Sequence, residues 1–99
     1  MLAAGRDSAL LRFSLGMHYL KAGDAPRAAG HLRRAVAQDR DYSAAWKLLG
    51  KALAECGDAA GAADAYRDGI EAAGRRGDKQ AAKEMTVFLR RLQRPASEG

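Results

Sequence analysis

Few residues of this 99-residue chain have the types and the spacing that metal binding or catalysis would need. His18 and His31 fall on different predicted helices, and the sequence has neither a second cysteine nor a paired His-Glu spacing to complete a metal site. The single cysteine, Cys56, shares a helical face with Leu49 and Leu53, so we expect a small buried side chain rather than an activated thiolate. We therefore expect no metal and no cofactor.

The glycines do not form a phosphate-binding loop either. They are scattered along the chain, and no strand is predicted ahead of any of them, as a strand-loop-helix phosphate cradle would require. With no nucleophile, metal site or phosphate loop, the sequence predicts a protein that is not an enzyme.

The composition bounds the class of protein. A chain with 47% hydrophobic and 29% charged residues and only two prolines is typical of one helix-rich domain. No apolar run approaches the roughly 18 residues of a membrane span, and residues 1–5 are too short for the apolar region of a signal peptide. A cytoplasmic location is the resulting expectation, and a single cysteine is compatible with a reducing compartment.

The glycines instead mark a repeat of 34 residues, which is the spacing of a repeated helical hairpin. Gly16 recurs as Gly50, and the pair Gly23-Asp24 recurs as Gly57-Asp58. In each copy the glycine-aspartate pair ends one helix and caps the next. The predicted helices run to about residue 22 from a cap at Asp7 or Ser8, then over about 25–38, 43–56, 59–73 and 78–93, with a loop at 74–77 and a stop at Pro95.

These elements predict an all-α fold with a single domain over residues 8–94, a short lead at 1–7 and a polar tail at 95–99.

The first predicted helix is apolar on two faces. Leu11, Leu15 and Tyr19 make the face expected to pack on the second helix. The nearly opposite face carries Leu10, Phe13, Met17 and Leu20.

The repeat resembles the tetratricopeptide pattern, which reads W-x2-L-G-x2-Y in its first helix and A-x3-F in its second. The second copy has Trp46, Leu49, Gly50, Leu53, Ala62 and Tyr66 at these offsets, with Gly69 where a small residue is usual. The first copy has Arg12 in place of the tryptophan, followed by Leu15, Gly16, Tyr19, Ala28, Leu32 and Ala35. The resemblance implies a right-handed superhelix of helical hairpins, with repeats at about 9–42 and 43–76 and a capping helix at about 78–93.

In tetratricopeptide proteins the first helix of each pair lines a concave groove that takes a peptide, and the resemblance implies such a groove here. A two-residue insertion near residues 74–77 would also bring the fifth helix to it. The implied function is a non-catalytic adaptor whose basic wall and apolar floor bind an acidic or amphipathic segment of another protein. The groove candidates are Leu10, Phe13, Met17, Leu20, Lys21, Lys47, Lys51 and Glu55, with Lys83, Val87 and Arg90 from the fifth helix.

Two structural readings compete with this groove. The stripe of Leu10, Phe13, Met17 and Leu20 equally suits a core covered by preceding residues, or a contact with a second copy in a homodimer or larger assembly. Lys47 equally suits a solvated helix face. The carboxylate clamp of some chaperone adaptors in the family uses asparagines as well as lysines. Because this chain has no asparagine, that role does not transfer.

The net charge of +5 raises nucleic acid as a less favoured partner. Residues 72–99 hold seven of the Lys and Arg residues against three Asp or Glu. No aromatic side chain is interleaved with the basic ones to stack on bases, so a solvated capping face is favoured. The basic stripe comprises Lys79, Lys83, Arg90 and Arg94, and Arg75, Arg76 and Arg91 lie beside it.

Overall fold

A computed structural model describes residues 7–94 of the chain, and the expected all-α class is confirmed. Within this range there are five helices and no strand. The expected tail at 95–99 and the lead, apart from Asp7, lie outside the described residues. The helices are α1 (Ala9–Lys21), α2 (Ala25–Gln38), α3 (Ser43–Glu55), α4 (Ala59–Arg76) and α5 (Lys79–Gln93).

Four of the helix starts are fixed by side-chain caps. Each capping oxygen accepts a hydrogen bond from the backbone N–H three residues later, over 2.9 to 3.2 Å. A cap of this kind stabilises a helix by about 1 kcal/mol. Only α3, which follows Tyr42, begins without one. The caps are Ser8, Asp24, Asp58 and Asp78.

The prediction that the fourth helix ends near Ala73 was wrong. The helix continues through Arg76, and the chain leaves it only at Gly77, whose φ of +72° is one that glycine adopts easily. The last turn is held from outside the helix, because the Nε of Arg75 donates to the Asp41 carboxylate over 2.6 Å. This contact favours the helix over the break that Gly74 suggested.

The two hairpins are closely packed because a glycine of one helix faces a large side chain of the next. A Cβ on Gly16 would overlap Leu32, and a Cβ on Gly50 would overlap the ring of Tyr66. These two pairs are themselves 34 residues apart, so the sequence repeat is a packing repeat. The buried apolar side chains around them form one continuous core.

The capping helix α5 continues this arrangement with a longer spacing. The N-cap residues Ser8, Tyr42 and Asp78 are 34 and then 36 residues apart, which is the two-residue insertion expected from the sequence. Met85 is fully buried, and it packs against Gly69 of α4. No helix within residues 7–94 is both long enough and apolar enough to cross a membrane.

Candidate functional site

A cleft of about 630 Å³ opens between α3 and α5 on the face where these helices lie side by side. Apolar side chains make its floor and charged side chains make its rim. A volume of this size lies within the range of about 300–1,000 Å³ that is typical of ligand-binding pockets. The floor is made by Leu48, Ala54, Tyr66 and Phe88, and the rim by Lys47, Lys51, Glu55 and Glu84.

Helical periodicity places these residues along the two walls. Lys47, Lys51 and Glu55 are spaced four residues apart, so they form one row along α3. Glu84 and Phe88 form the matching row on α5 by the same spacing. The cleft is therefore the space between two parallel rows of side chains.

Tyr66 reaches the floor of the cleft from α4, because Gly50 of α3 has no side chain to block it. Its ring centroid is 5.6 Å from that of Phe88, so the two aromatic rings form the end of the apolar floor. Burial raises the pKa of the Tyr66 hydroxyl, and the nearby charge of Glu55 adds to this shift. The hydroxyl is therefore neutral at physiological pH.

An ion pair crosses the cleft. The Nζ of Lys47 lies 2.7 Å from Oε1 of Glu84, and the Nε2 of Gln80 donates to the other carboxylate oxygen over 3.0 Å. The hydrogen bond from Lys47 lowers the pKa of Glu84, and the one from Gln80 lowers it further. The expected basic wall is therefore partly neutralised by an acidic side chain of the opposite helix.

The structure brings only some of the groove candidates together. Lys47, Lys51 and Glu55 line the cleft, whereas the candidates from α1 do not. Phe13 packs against the core, with its ring centroid 5.0 Å from that of Tyr42. Leu20 also packs against the core, Met17 is half-buried, and Leu10 and Lys21 are exposed.

Phe13 and Lys47 occupy equivalent positions in the two repeats, 34 residues apart, but their side chains differ in kind. The first repeat places an aromatic ring where the second places a charged side chain. Phe13 contacts Tyr42 at the start of α3, whereas Lys47 borders the open cleft between α3 and α5.

The candidates from α5 also lie away from the cleft. Lys83, Val87 and Arg90 are exposed, and the side chains that line the cleft are those of Glu84 and Phe88. Sequence reasoning missed these two residues, together with Leu48, Ala54 and Tyr66. Their four-residue spacing, which places Glu84 and Phe88 on one face of α5 next to Met85, could have indicated that both residues line a groove.

The three basic residues that lie beside the predicted basic stripe contact other residues of the fold. Arg75 pairs with Asp41, and Arg76 donates to the Asp41 carbonyl oxygen over 3.4 Å. The guanidinium of Arg91 lies 5.9 Å from the centre of the Phe88 ring. Arg75 and Arg76 therefore hold the loop before α3, rather than simply extending a basic surface.

The residues considered for chemistry from the sequence are dispersed. The expectation that Cys56 is buried was wrong: α3 ends at Glu55, and Cys56 is exposed in the turn that follows. The guanidinium of Arg12 lies 3.1 Å from Nδ1 of His31, whose ring stacks on Tyr19. Across residues 7–94, no three His, Cys, Asp or Glu side chains are grouped so as to hold a metal ion.

Comparison with known proteins identifies relatives along nearly the whole chain. A TPR repeat-containing protein of Pseudomonas aeruginosa is 64% identical over 94 residues, which cover 95% of this chain and 90% of that protein. No family model matches the chain.

Solved structures share the fold. The solution structure of a Bordetella parapertussis protein is 52% identical, with a TM-score of 0.79 over 94% of this chain and 81% of that one. The crystal structure of a tetratricopeptide repeat domain protein from Salinibacter ruber is 27% identical, with a TM-score of 0.80 over 87% of this chain and 96% of that one.

Proposed function

Because the chain belongs to the tetratricopeptide repeat family, whose fold is that of protein-protein interaction modules, we propose that it is a non-catalytic adaptor that binds a peptide segment of another protein. The proposed binding site is the cleft between α3 and α5. The proposal keeps the cytoplasmic location expected from the sequence.

The observation that carries the proposal is an apolar floor left open between two charged walls. An apolar side chain of a partner that covered the half-buried Leu48 and Phe88 would stabilise the complex by about 25 cal/mol for each Å² of apolar surface removed from water. A site formed by so few helices buries less than about 1,200 Å² in total, which is the range of weak or transient complexes. We therefore expect modest affinity and fast dissociation.

Of the groove candidates, this proposal retains Lys47, Lys51 and Glu55, which line the cleft. Phe13 is better assigned to the core, because it packs against Tyr42 and the buried residues. A charged residue at position 13 would unfold the protein as readily as it would block binding. The decisive variants must therefore lie in the cleft and on its surface.

Ala54 offers such a variant because it is exposed and lies on the cleft floor. Ala54→Gln places a neutral polar side chain on that floor and preserves helix propensity. Ala60→Gln is the matched control, since Ala60 is exposed on α4 and does not line the cleft.

The test is affinity capture from cell extract with the wild-type protein, Ala54→Gln and Ala60→Gln, followed by mass spectrometry. We expect a partner that the wild type and Ala60→Gln retain and Ala54→Gln loses. A peptide from that partner should then shift the NMR resonances of Leu48, Lys51 and Phe88 in the labelled protein. Equal capture by all three proteins would contradict the proposed site.

Self-association is a second candidate function, and one observation favours it. Leu10 is 66% exposed and its neighbour Leu11 is 40% exposed, although Leu11 was expected to pack on the second helix. Together they leave an apolar patch on the first turn of α1. If this patch joins two copies, light scattering will show a dimer whose population rises with concentration and falls in Leu10→Gln, Leu11→Gln.

Nucleic acid binding is the less favoured alternative. Lys79, Lys83 and Arg90 are exposed on α5, but Arg75 and Arg76 already contact the loop before α3. Binding through this face would weaken steeply with salt and would be lost on reversing the three exposed charges.

A further inference from the structure

We infer that the cleft selects a charge-balanced segment, in which an acidic side chain meets Lys51, a basic side chain meets Glu55, and a bulky apolar side chain between them lies on the floor. This inference rests on the proposed function, and it names the class of peptide that the same site takes. It is narrower than the acidic or amphipathic segment that the sequence suggested.

The first step is that Lys47 is already satisfied. Glu84 lies 2.7 Å from its ammonium group, and Gln80 holds the carboxylate in place over 3.0 Å. The two side chains are 33% and 37% exposed, so the pair forms part of the cleft wall. A carboxylate of a ligand at Lys47 would lie beside the carboxylate of Glu84, which has the same charge, so the net attraction there is small. Lys47 is therefore not a docking point for an acidic group.

The second step is that the remaining rim charges have opposite signs. Neither Lys51 nor Glu55 forms an ion pair or a side-chain hydrogen bond within residues 7–94. Both are exposed and line the cleft from α3. The four rim charges thus sum to zero, and the two without a partner form a dipole along the wall.

The third step is the spacing of these two charges. Residues four apart on a helix are separated by about 6 Å along its axis. In an extended peptide, side chains two residues apart point the same way and are separated by nearly the same distance, while the side chain between them points to the opposite side. An acid and a base facing α3 would therefore turn the intervening residue toward Phe88 on α5. Charge complementarity and the apolar floor together favour an acid-apolar-base segment.

A purely acidic segment fits less well. It would gain attraction at Lys51, but it would meet like charges at both Glu55 and Glu84. Interactions between like charges at close range disfavour a partner and set its register. The cleft therefore favours a segment that carries both charges over a segment that carries only negative ones.

The test uses a display library of random 12-residue peptides against immobilised wild-type protein and against the variants Glu55→Lys and Glu71→Lys. Glu55→Lys leaves two positive charges on the α3 wall, whereas Glu71→Lys changes the net charge equally at an exposed residue of α4 that does not line the cleft. Ala54→Gln serves as the blocked site. Circular dichroism confirms that each protein is folded before selection.

We expect binders of the wild type and of Glu71→Lys to share an apolar residue flanked by one acid and one base, and binders of Glu55→Lys to carry acids on both sides of the apolar residue. A peptide selected on the wild type should bind Glu55→Lys at least tenfold more weakly. If the wild type and Glu55→Lys both select acidic peptides, the charge-balanced ligand is wrong while the proposed function stands. If the wild type selects nothing beyond what Ala54→Gln selects, the proposed function fails as well.

Discussion

Gly50 of α3 lies directly against the ring of Tyr66 on α4, where a Cβ would overlap three of the ring atoms. This contact lets α3 and α4 approach closely, and it allows the same ring to form part of the cleft floor. The equivalent contact in the first repeat joins Gly16 and Leu32. A single missing side chain thus links the packing of the second hairpin to the proposed binding site.

We predict that Gly50→Ala destabilises the protein. Glycine to alanine within a helix ordinarily stabilises by about 0.5–1 kcal/mol, but here the added methyl group must displace the Tyr66 ring, and overpacking of this kind costs about 1–3 kcal/mol. Urea unfolding should show the loss. Gly30→Ala is the control, because a Cβ on Gly30 meets nothing within 4 Å, and it should raise the free energy of unfolding. Equal effects of the two substitutions would contradict this account.

Met85 should be a main anchor of the capping helix. Its side chain is fully buried against Gly69, so Met85→Ala should lower the free energy of unfolding by about 2–5 kcal/mol. Met85→Leu keeps most of the volume and should cost less than about 1.5 kcal/mol. Val87, which is 41% exposed on the same helix, provides the control Val87→Ala. A large loss in the control and none at Met85 would show that α5 does not pack as described.

The Arg75–Asp41 contact should hold the last turn of α4. Arg75→Gln removes an ion pair between half-exposed side chains, so the global loss should be within about 1 kcal/mol. Amide hydrogen exchange should nevertheless speed up at residues 75–77. Arg67→Gln is the control, since within residues 7–94 Arg67 pairs only with Asp64, three residues earlier. Unchanged exchange at residues 75–77 would mean that Gly77 alone determines where the helix ends.

Protonation of Glu84 at acid pH should lower the free energy of unfolding. Because hydrogen bonds from Lys47 and Gln80 lower its pKa in the folded state, the charged form is favoured by folding. This contribution is fully present above the ordinary glutamate pKa near 4.5, and it is lost as the pH falls through the lowered folded value. Asp7, whose pKa is lowered by hydrogen bonds from Arg12 and Gln38, acts in the same direction.

NMR titration of the Glu84 side chain separates the two carboxylates. The Glu84 pKa should move toward its ordinary value in Lys47→Met, whereas the pKa of Asp7 should not change. A Glu84 pKa that is the same in the wild type and in Lys47→Met would exclude the ion pair across the cleft.

Much of this fold could be predicted from local patterns. The recurrence of Gly23-Asp24 as Gly57-Asp58 marks helix ends and caps that depend on a few neighbouring residues, and the predicted helix limits agree with the structure except at the end of α4. Family membership follows from the same repeat, since its small and large residues are also its packing contacts. The sequence by itself therefore determined the helices, their order and the kind of scaffold they build.

Only the tertiary structure decided which side chains meet between helices. Periodicity gives the direction of Lys47 around its own helix axis, but the pairing of Lys47 with Glu84 depends on how closely α3 and α5 approach. That approach depends on Gly69 of α4, which has no side chain where Trp46 of α3 and Met85 of α5 come close to it. For the same reason the sequence did not show that Phe13 packs on the core while the equivalent Lys47 borders an open cleft. The charge balance of the proposed site depends on contacts between residues far apart in the chain, and no local pattern encodes those distances.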